Sequence, residues 1–157
     1  MALVIYLILT WLFGAIFLFQ RKKLIFIENL LLFLFFLFVN KTVLTLISLN
    51  LGLIFYNKEP ALFLCFWLHR NILAPILLMI FANAAFQNKI GRVMVYGLIT
   101  MLVRLSLEAL GIQLNIIQFH MWSYTMTSIV SIVYISGTLF LVRAYRHLLI
   151  KDEMVRG

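Results

Sequence analysis

Acidic residues are scarce in this chain, which has five of them in 157 residues against thirteen lysines and arginines. Charged residues of both signs make up 11% of the sequence, whereas soluble domains carry about a quarter. Hydrophobic residues make up 65%, and the mean hydropathy is +1.10. A water-soluble fold of this size could not bury so much apolar surface. The composition therefore excludes a soluble domain and predicts an integral membrane protein.

Cysteine and aspartate are nearly absent, with one of each, Cys65 and Asp152. A single cysteine excludes an intramolecular disulfide and a cysteine metal site, and its place in an apolar run is typical of a small buried side chain. A single aspartate argues against enzymes that hold divalent metals, because hard cations need several clustered carboxylates. The sequence also lacks the GxSxG, HExxH and Walker motifs. We therefore expect no metal, no cofactor and no enzymatic activity.

Nine of the thirteen basic residues lie in three short tracts that flank apolar runs. Such placement is typical of cytoplasmic anchoring and of contact with anionic lipids, so we do not expect nucleic acid as a partner. The tracts consist of Arg21, Lys22 and Lys23, then Lys89 and Arg92, and finally Arg143, Arg146, Lys151 and Arg156.

Five apolar runs predict an all-α bundle of about five transmembrane helices, forming a single domain of residues 1–157. The first run has its cations after it and no small-residue cleavage site, so it should remain as a helix. The positive-inside rule then places the N-terminus outside and the C-terminus in the cytoplasm, in what we expect to be the cytoplasmic membrane. The predicted spans are residues 2–19, 24–56, 61–82, 93–110 and 119–142, followed by a short basic cytoplasmic tail, residues 143–157.

The second run, residues 24–56, is longer than one span requires. As a helix it would extend about 50 Å, against a hydrocarbon thickness of about 30 Å. Two passes, separated at Asn40 and Lys41, would place the later basic tracts outside, against the positive-inside rule. The sequence therefore predicts one long helix here.

Ionisable residues inside the spans indicate where a function could lie, because a charge at the bilayer centre normally faces a partner, a cavity or a ligand. Three cations, Lys41, Arg70 and Arg104, are expected at about the same depth in the bilayer as a single carboxylate, Glu108. Helical spacing with small and polar residues predicts that Lys41 and Arg104 point into the bundle. Arg104 and Glu108 are four residues apart and could pair along their helix, which would leave them a purely structural role.

The third run carries the consecutive polar residues His69, Arg70 and Asn71, followed by Pro75. Consecutive residues fan around a helix, so these three cannot all face one way. Pro75 should leave the carbonyl of Asn71 without its helical donor. A helix broken by proline beside ionisable residues is typical of transport and binding sites, although neighbouring helices can also satisfy the freed groups.

Three classes of function fit these features. The first is a small accessory or binding protein whose cationic interior holds an anionic lipid headgroup, a solute or a partner helix. The second is a small-anion transporter or channel acting as an oligomer, and the third is a lipid-acting enzyme with His69 or Glu108 as acid or base. We favour the first, with the bilayer and its anionic cytoplasmic lipids as partners, and a homo-oligomer or larger membrane complex as a further possibility. The predicted ligand-binding residues are Lys41, His69, Arg70, Asn71, Arg104 and Glu108.

Overall fold

The computed structural model describes residues 1–86 and 88–151, most of which are helical. Helices are expected from such apolar runs, because a backbone away from water must satisfy its polar groups internally. Two π-helical segments and two short strands complete the described structure. The elements are α1 (Ala2–Phe19), α2 (Phe26–Leu44), a π-helical segment (Thr45–Asn50), β1 (Ile54–Tyr56), α3 (Pro60–Leu68), a second π-helical segment (His69–Leu73), α4 (Ala74–Ala85), α5 (Ile90–Gln113), β2 (Ile117–Phe119) and α6 (Tyr124–Lys151).

Five helical stretches are long and apolar enough to cross a membrane, which agrees with the predicted number. The third stretch consists of α3, the second π-helical segment and α4. These stretches are compatible with an integral membrane protein of all-α type. Residues 152–157, the end of the predicted basic tail, lie outside the described residues. The five stretches are Ala2–Phe19, Phe26–Ser48, Pro60–Ala85, Ile90–Gln113 and Tyr124–His147.

The long apolar segment of residues 24–56 forms one candidate span but not one continuous helix. After the π-helical segment Thr45–Asn50 comes Gly52, whose φ of +60° is a left-handed conformation that favours glycine. The chain then extends as β1, which pairs antiparallel with β2, with Phe55 opposite Gln118. The prediction that the helix continues to the end of this segment was wrong, because the helix cannot pass through the left-handed turn and the last residues find backbone partners in β2.

The two ends of the bundle differ in composition. The end that carries β1 and β2 is called the strand end. The opposite end, called the basic end, carries the loops after α1 and α4 and the last turns of α6. Basic residues of all three tracts lie there, including Arg21, Lys89 and Arg143.

Buried polar contacts hold the basic end together. Asn83 of α4 accepts hydrogen bonds from two backbone N–H groups in the loop after α1, and its amide donates to Asn29 Oδ1 at 2.7 Å. Glu28 accepts a bond from the backbone N–H of Ile25 at 2.9 Å, which caps the start of α2. The same carboxylate forms an ion pair with Arg146 Nε at 3.1 Å. These contacts fix α2, α4 and α6 relative to one another.

Candidate functional site

Pro75 shapes the backbone where the polar residues of the third span lie. Proline has no N–H, so it leaves one carbonyl of the preceding turn without a helical donor. In the π-helical segment His69–Leu73 the bonds run from residue i to i+5, as Ala74 shows by donating to the carbonyl of His69. In this wider turn, position 75 would donate to the carbonyl five residues earlier instead of four.

In this register the N–H that Pro75 lacks would have donated to the carbonyl of Arg70, whereas α-helical spacing pointed to the carbonyl of Asn71. Asn40 of α2 donates to the carbonyl of Arg70 through Nδ2 at 3.1 Å. Asn40 is itself buried, with 6% of its surface exposed. The second and third spans are therefore joined by a side chain at the point where the third span departs from α-helical geometry.

Arg70 and Glu108 form an ion pair inside the bundle, with 2.9 Å between Nη2 and Oε1. The side chain of Glu108 is 4% exposed and that of Arg70 is 15% exposed. Sequence spacing allowed a pair between Glu108 and Arg104 along α5, but within the described residues the ion pair of Glu108 is with Arg70. The carboxylate turns instead toward the third span, where Arg70 approaches it from the neighbouring helix.

Arg104 is buried and packs against an aromatic ring. Its guanidinium carbon lies 4.7 Å from the centre of the Tyr134 ring in α6, within the range of a cation–π contact. The prediction that Arg104 points into the bundle is therefore confirmed by its 6% exposure. With Arg70 and Glu108 it forms a group, called the charged cluster, that contains two cations and one carboxylate.

A small cavity lies beside the charged cluster. Its volume is about 20 Å³, which is enough for about one water molecule. Each member of the cluster lines it, together with Asn40 and Tyr134. Among the described residues no hydrogen-bond partner exists for four buried atoms here, which are Arg70 Nε, Arg104 Nη1, Glu108 Oε2 and Tyr134 Oη. The cluster thus keeps donors available and carries one excess positive charge.

A larger groove of about 510 Å³ lies on the other side of Arg70, between α2 and the third span. Arg70, Asn40 and Leu44 line both the groove and the small cavity, so these three residues form the wall between them. Polar and apolar side chains share the remaining lining. They are Phe33, Leu37, Lys41, Thr45, Ser48, Tyr56, Phe63, Phe66, Trp67, Asn71 and Ile72.

Lys41 is exposed and lines the groove, so the prediction that it points into the bundle was wrong. The interior face of α2 is offset by one residue from the predicted one. It carries four of the five buried residues of α2, Asn29, Leu32, Phe36 and Asn40, which are spaced as one helical face. This spacing, with an asparagine at each end, is the sequence signal that could have identified Asn40.

The three consecutive polar residues of the third span face different ways, as predicted. Asn71 lines the groove beside Arg70, and its amide donates to the carbonyl of Trp67 at 3.1 Å. His69 is buried away from both cavity and groove, with its ring 5.7 Å from that of Tyr6. The structure therefore brings Arg70, Arg104 and Glu108 together around the cavity, places Lys41 and Asn71 in the groove with Arg70, and separates His69 from them.

Tyr134, like Asn40, is a part of the site that the sequence analysis missed. It lies on the fifth span among serines and threonines, where a tyrosine gives no signal that distinguishes it from an ordinary packing residue.

Within residues 1–86 and 88–151, no group of three His, Cys, Asp or Glu side chains is placed to hold a metal ion. No protein family, curated protein or solved structure matches this chain.

Proposed function

We propose that this chain is a small multi-spanning binding protein of the cytoplasmic membrane, which holds one anionic group at Arg70 inside the bilayer. Its N-terminus lies outside and its C-terminus in the cytoplasm, because the basic end then faces the cytoplasm. The anionic group belongs to a lipid, a solute or a partner helix. Catalysis is not part of the proposal.

The observation that carries this proposal is the position of Arg70 in the wall between the cavity and the groove. On the cavity side it pairs with Glu108, and its side chain keeps 15% of its surface exposed. One carboxylate cannot neutralise both Arg70 and Arg104, so the cluster keeps an excess positive charge. Buried charges are stable in a membrane only when they are paired, which makes an anion a favourable neighbour here.

The groove is the place from which such a group can reach Arg70. Lys41 and Asn71 line it with Arg70 and add a second cation and an amide. The small cavity, at about 20 Å³, has room for little more than a water molecule. Binding at the groove therefore fits the geometry better than passage of an anion through the cluster.

Native mass spectrometry of the protein extracted in a neutral detergent tests the proposal. We expect wild type to carry an anionic molecule and Arg70→Gln to lose it. Arg104→Gln should weaken binding less, because it lowers the charge of the cluster without changing the groove. Arg92→Gln is the matched control, since it removes an exposed arginine at the basic end. Thermal unfolding in detergent checks that each variant is folded.

The proposal fails if folded Arg70→Gln carries the same molecules as wild type in the same amounts. Anion flux through proteoliposomes that is lost in Arg70→Gln and Arg104→Gln would favour the transporter instead. Turnover of labelled lipid that is lost on His69→Ala or Glu108→Gln would favour an enzyme.

A further inference from the structure

One wall of the groove, formed by the second span, changes polarity along its length. Toward the strand end this wall carries Thr45 and Ser48 of the π-helical segment, and toward the basic end it carries Phe33 and Leu37 of α2. The cation Lys41 lies between these two parts. This order of polar, cationic and apolar surface matches a phospholipid of the leaflet at the strand end, whose headgroup lies toward that end and whose chains extend toward the middle of the bilayer.

The two groove cations lie at similar depth below the strand end. Lys41 comes nine residues before the end of the helical stretch at Asn50, which is about 13 Å along the axis. Arg70 comes ten residues after the start of α3 at Pro60, or about 15 Å. The hydrogen bond from Asn40 to the carbonyl of Arg70 holds the two backbones together at this level. Both cations can therefore approach a single phosphate.

Both π-helical segments border this groove. The first contributes Thr45 and Ser48, and the second contributes Arg70, Asn71 and Ile72. π-Helical turns are rare and occur frequently at functional sites. Two of them on opposite walls of one groove, beside two cations, are an independent sign that this surface is built to bind something.

The exposure of Lys41 indicates what the occupant is. Lys41 lies within a candidate span and is exposed on its helix, so the lipids of the bilayer are the nearest source of an anionic partner. Phe63 and Trp67 on the third span are exposed in the same groove, between the strand end and Arg70, and make this part of the opposite wall apolar. A hydrated solute would form no favourable contacts with such an apolar surface.

We infer that the groove binds one anionic phospholipid from the leaflet at the strand end, with its phosphate between Lys41 and Arg70 and a chain along Phe33 and Leu37. In the proposed orientation this is the outer leaflet. The inference rests on the proposed function, since it names the molecule whose anionic group Arg70 holds. It goes beyond that proposal in assigning Lys41 and Leu37 to the same site.

Native mass spectrometry with added lipid tests this inference. Wild type in neutral detergent is titrated with dioleoyl phosphatidylglycerol and, separately, with dioleoyl phosphatidylcholine. We expect the anionic lipid to bind at least tenfold more tightly than the zwitterionic one. Lys41→Gln should lower phosphatidylglycerol affinity about tenfold, Lys41→Arg should retain most of it, and added inorganic phosphate should not compete.

A second variant tests the apolar part of the groove without changing any charge. Leu37→Trp should fill the chain-binding part and weaken phosphatidylglycerol binding. Two matched controls should bind as wild type does. One is Leu34→Trp, which changes an exposed leucine of α2 that does not line the groove, and the other is Lys58→Gln, which removes an exposed lysine at the strand end.

The outcomes separate this inference from the proposed function. If Arg70→Gln loses its anionic ligand while Lys41→Gln and Leu37→Trp bind phosphatidylglycerol as wild type does, the proposed function stands and the groove inference is overturned. The same holds if inorganic phosphate displaces the lipid completely. If Arg70→Gln also binds as wild type does, both are wrong.

Discussion

At the scale of single residues, Glu108 has the most informative position in the charged cluster. Its carboxylate pairs with Arg70, the cation that also lines the groove. An anionic ligand at Arg70 and the carboxylate of Glu108 therefore compete for the same guanidinium. Removing the negative charge of Glu108 should release Arg70 and raise the excess charge of the cluster from one to two.

Glu108→Gln should consequently tighten the binding of an anionic ligand, whereas Arg70→Gln weakens it. A hydrogen bond to a charged group contributes roughly 1.5–3 kcal/mol, so we expect about a tenfold rise in phosphatidylglycerol affinity. The same variant should unfold at a lower temperature without lipid, because Gln pairs less strongly with Arg70. Lipid titrations by native mass spectrometry, with thermal unfolding measured in parallel, report both effects.

A purely structural ion pair gives a different result. Loss of either partner would then disturb the groove in the same way, and Glu108→Gln would bind less lipid, as Arg70→Gln does. Reduced binding in both variants would therefore contradict the competition between Glu108 and the ligand.

The sequence identified which residues of this cluster are unusual but not which of them pair. Charge inside an apolar run marked Arg70, Arg104 and Glu108, and all three line one cavity. Helical spacing could suggest only partners on the same helix, so the one partner it offered for Glu108 was Arg104. The observed partner lies 38 positions away along the chain, and the cation–π contact with Tyr134 also depends on tertiary packing.

At the scale of elements, the predicted interior face of the second span was wrong for two reasons. Lys41 lies one residue off the buried face of α2, and the π-helical segment Thr45–Asn50 then changes the spacing of the residues after α2. Regular 3.6-residue spacing placed Lys41, Thr45 and Ser48 on one interior face, but Lys41 and Thr45 are exposed and Ser48 is buried. A wider turn rotates every residue that follows it relative to an α-helix. No pattern in the sequence predicted the wider turn after α2, whereas Pro75 did indicate a departure from α-helical geometry in the third span.

The junction between Asn40 and the third span supplies a prediction about the second π-helical segment. Asn40→Leu removes the donor that satisfies the carbonyl of Arg70, and an unpaired buried carbonyl costs about 1–3 kcal/mol. Pro75→Ala restores a backbone N–H that can satisfy that carbonyl from within the helix. We therefore expect Asn40→Leu to lower the unfolding temperature in wild type and to lower it less in the Pro75→Ala background.

The four proteins of this cycle, compared by thermal unfolding in one detergent, measure the coupling. Equal losses in both backgrounds would mean that Asn40 does not substitute for the donor that proline lacks. Pro75→Ala should also reduce phosphatidylglycerol binding, because a regular α-helical turn would rotate Arg70 and Asn71 relative to the groove.

The basic end offers a prediction about stability alone. Glu28 is buried, with 2% of its side chain exposed, and Arg146 is its ionic partner. Removing one partner of a buried pair leaves an uncompensated charge, at a cost of about 3–5 kcal/mol. Arg146→Gln should lower the unfolding temperature clearly. Arg143→Gln, which changes an exposed arginine one turn earlier in α6, should change it little, and equal losses in the two variants would contradict a specific role for the pair.

At the scale of the whole molecule, composition and hydropathy predicted the number of spans because the bilayer acts on average properties of long segments. The five apolar stretches of the sequence correspond to the five candidate spans of the structure. The strands β1 and β2 could not be predicted in this way, since each has three residues and they pair across more than sixty positions of the chain. They explain why residues 24–56 exceed the length of one span without forming two.

The orientation of the bundle in the membrane provides the last prediction. Arg21, Lys22 and Lys23 lie at the same end as Lys89, Arg92 and Arg143, while the strand end carries Lys58 with Glu59 beside it. The positive-inside rule is a rule about lysines and arginines in short loops near span ends, and here it gives the same answer for each of the described loops.

A reporter that is active only outside the cytoplasm, inserted after Lys58, should therefore be active. The same reporter inserted after Lys89 should be silent, and a reporter that is active only in the cytoplasm should give the opposite pattern. Activity of the outside reporter after Lys89 would reverse the bundle, and it would move the lipid expected at Lys41 and Arg70 from the outer leaflet to the inner one.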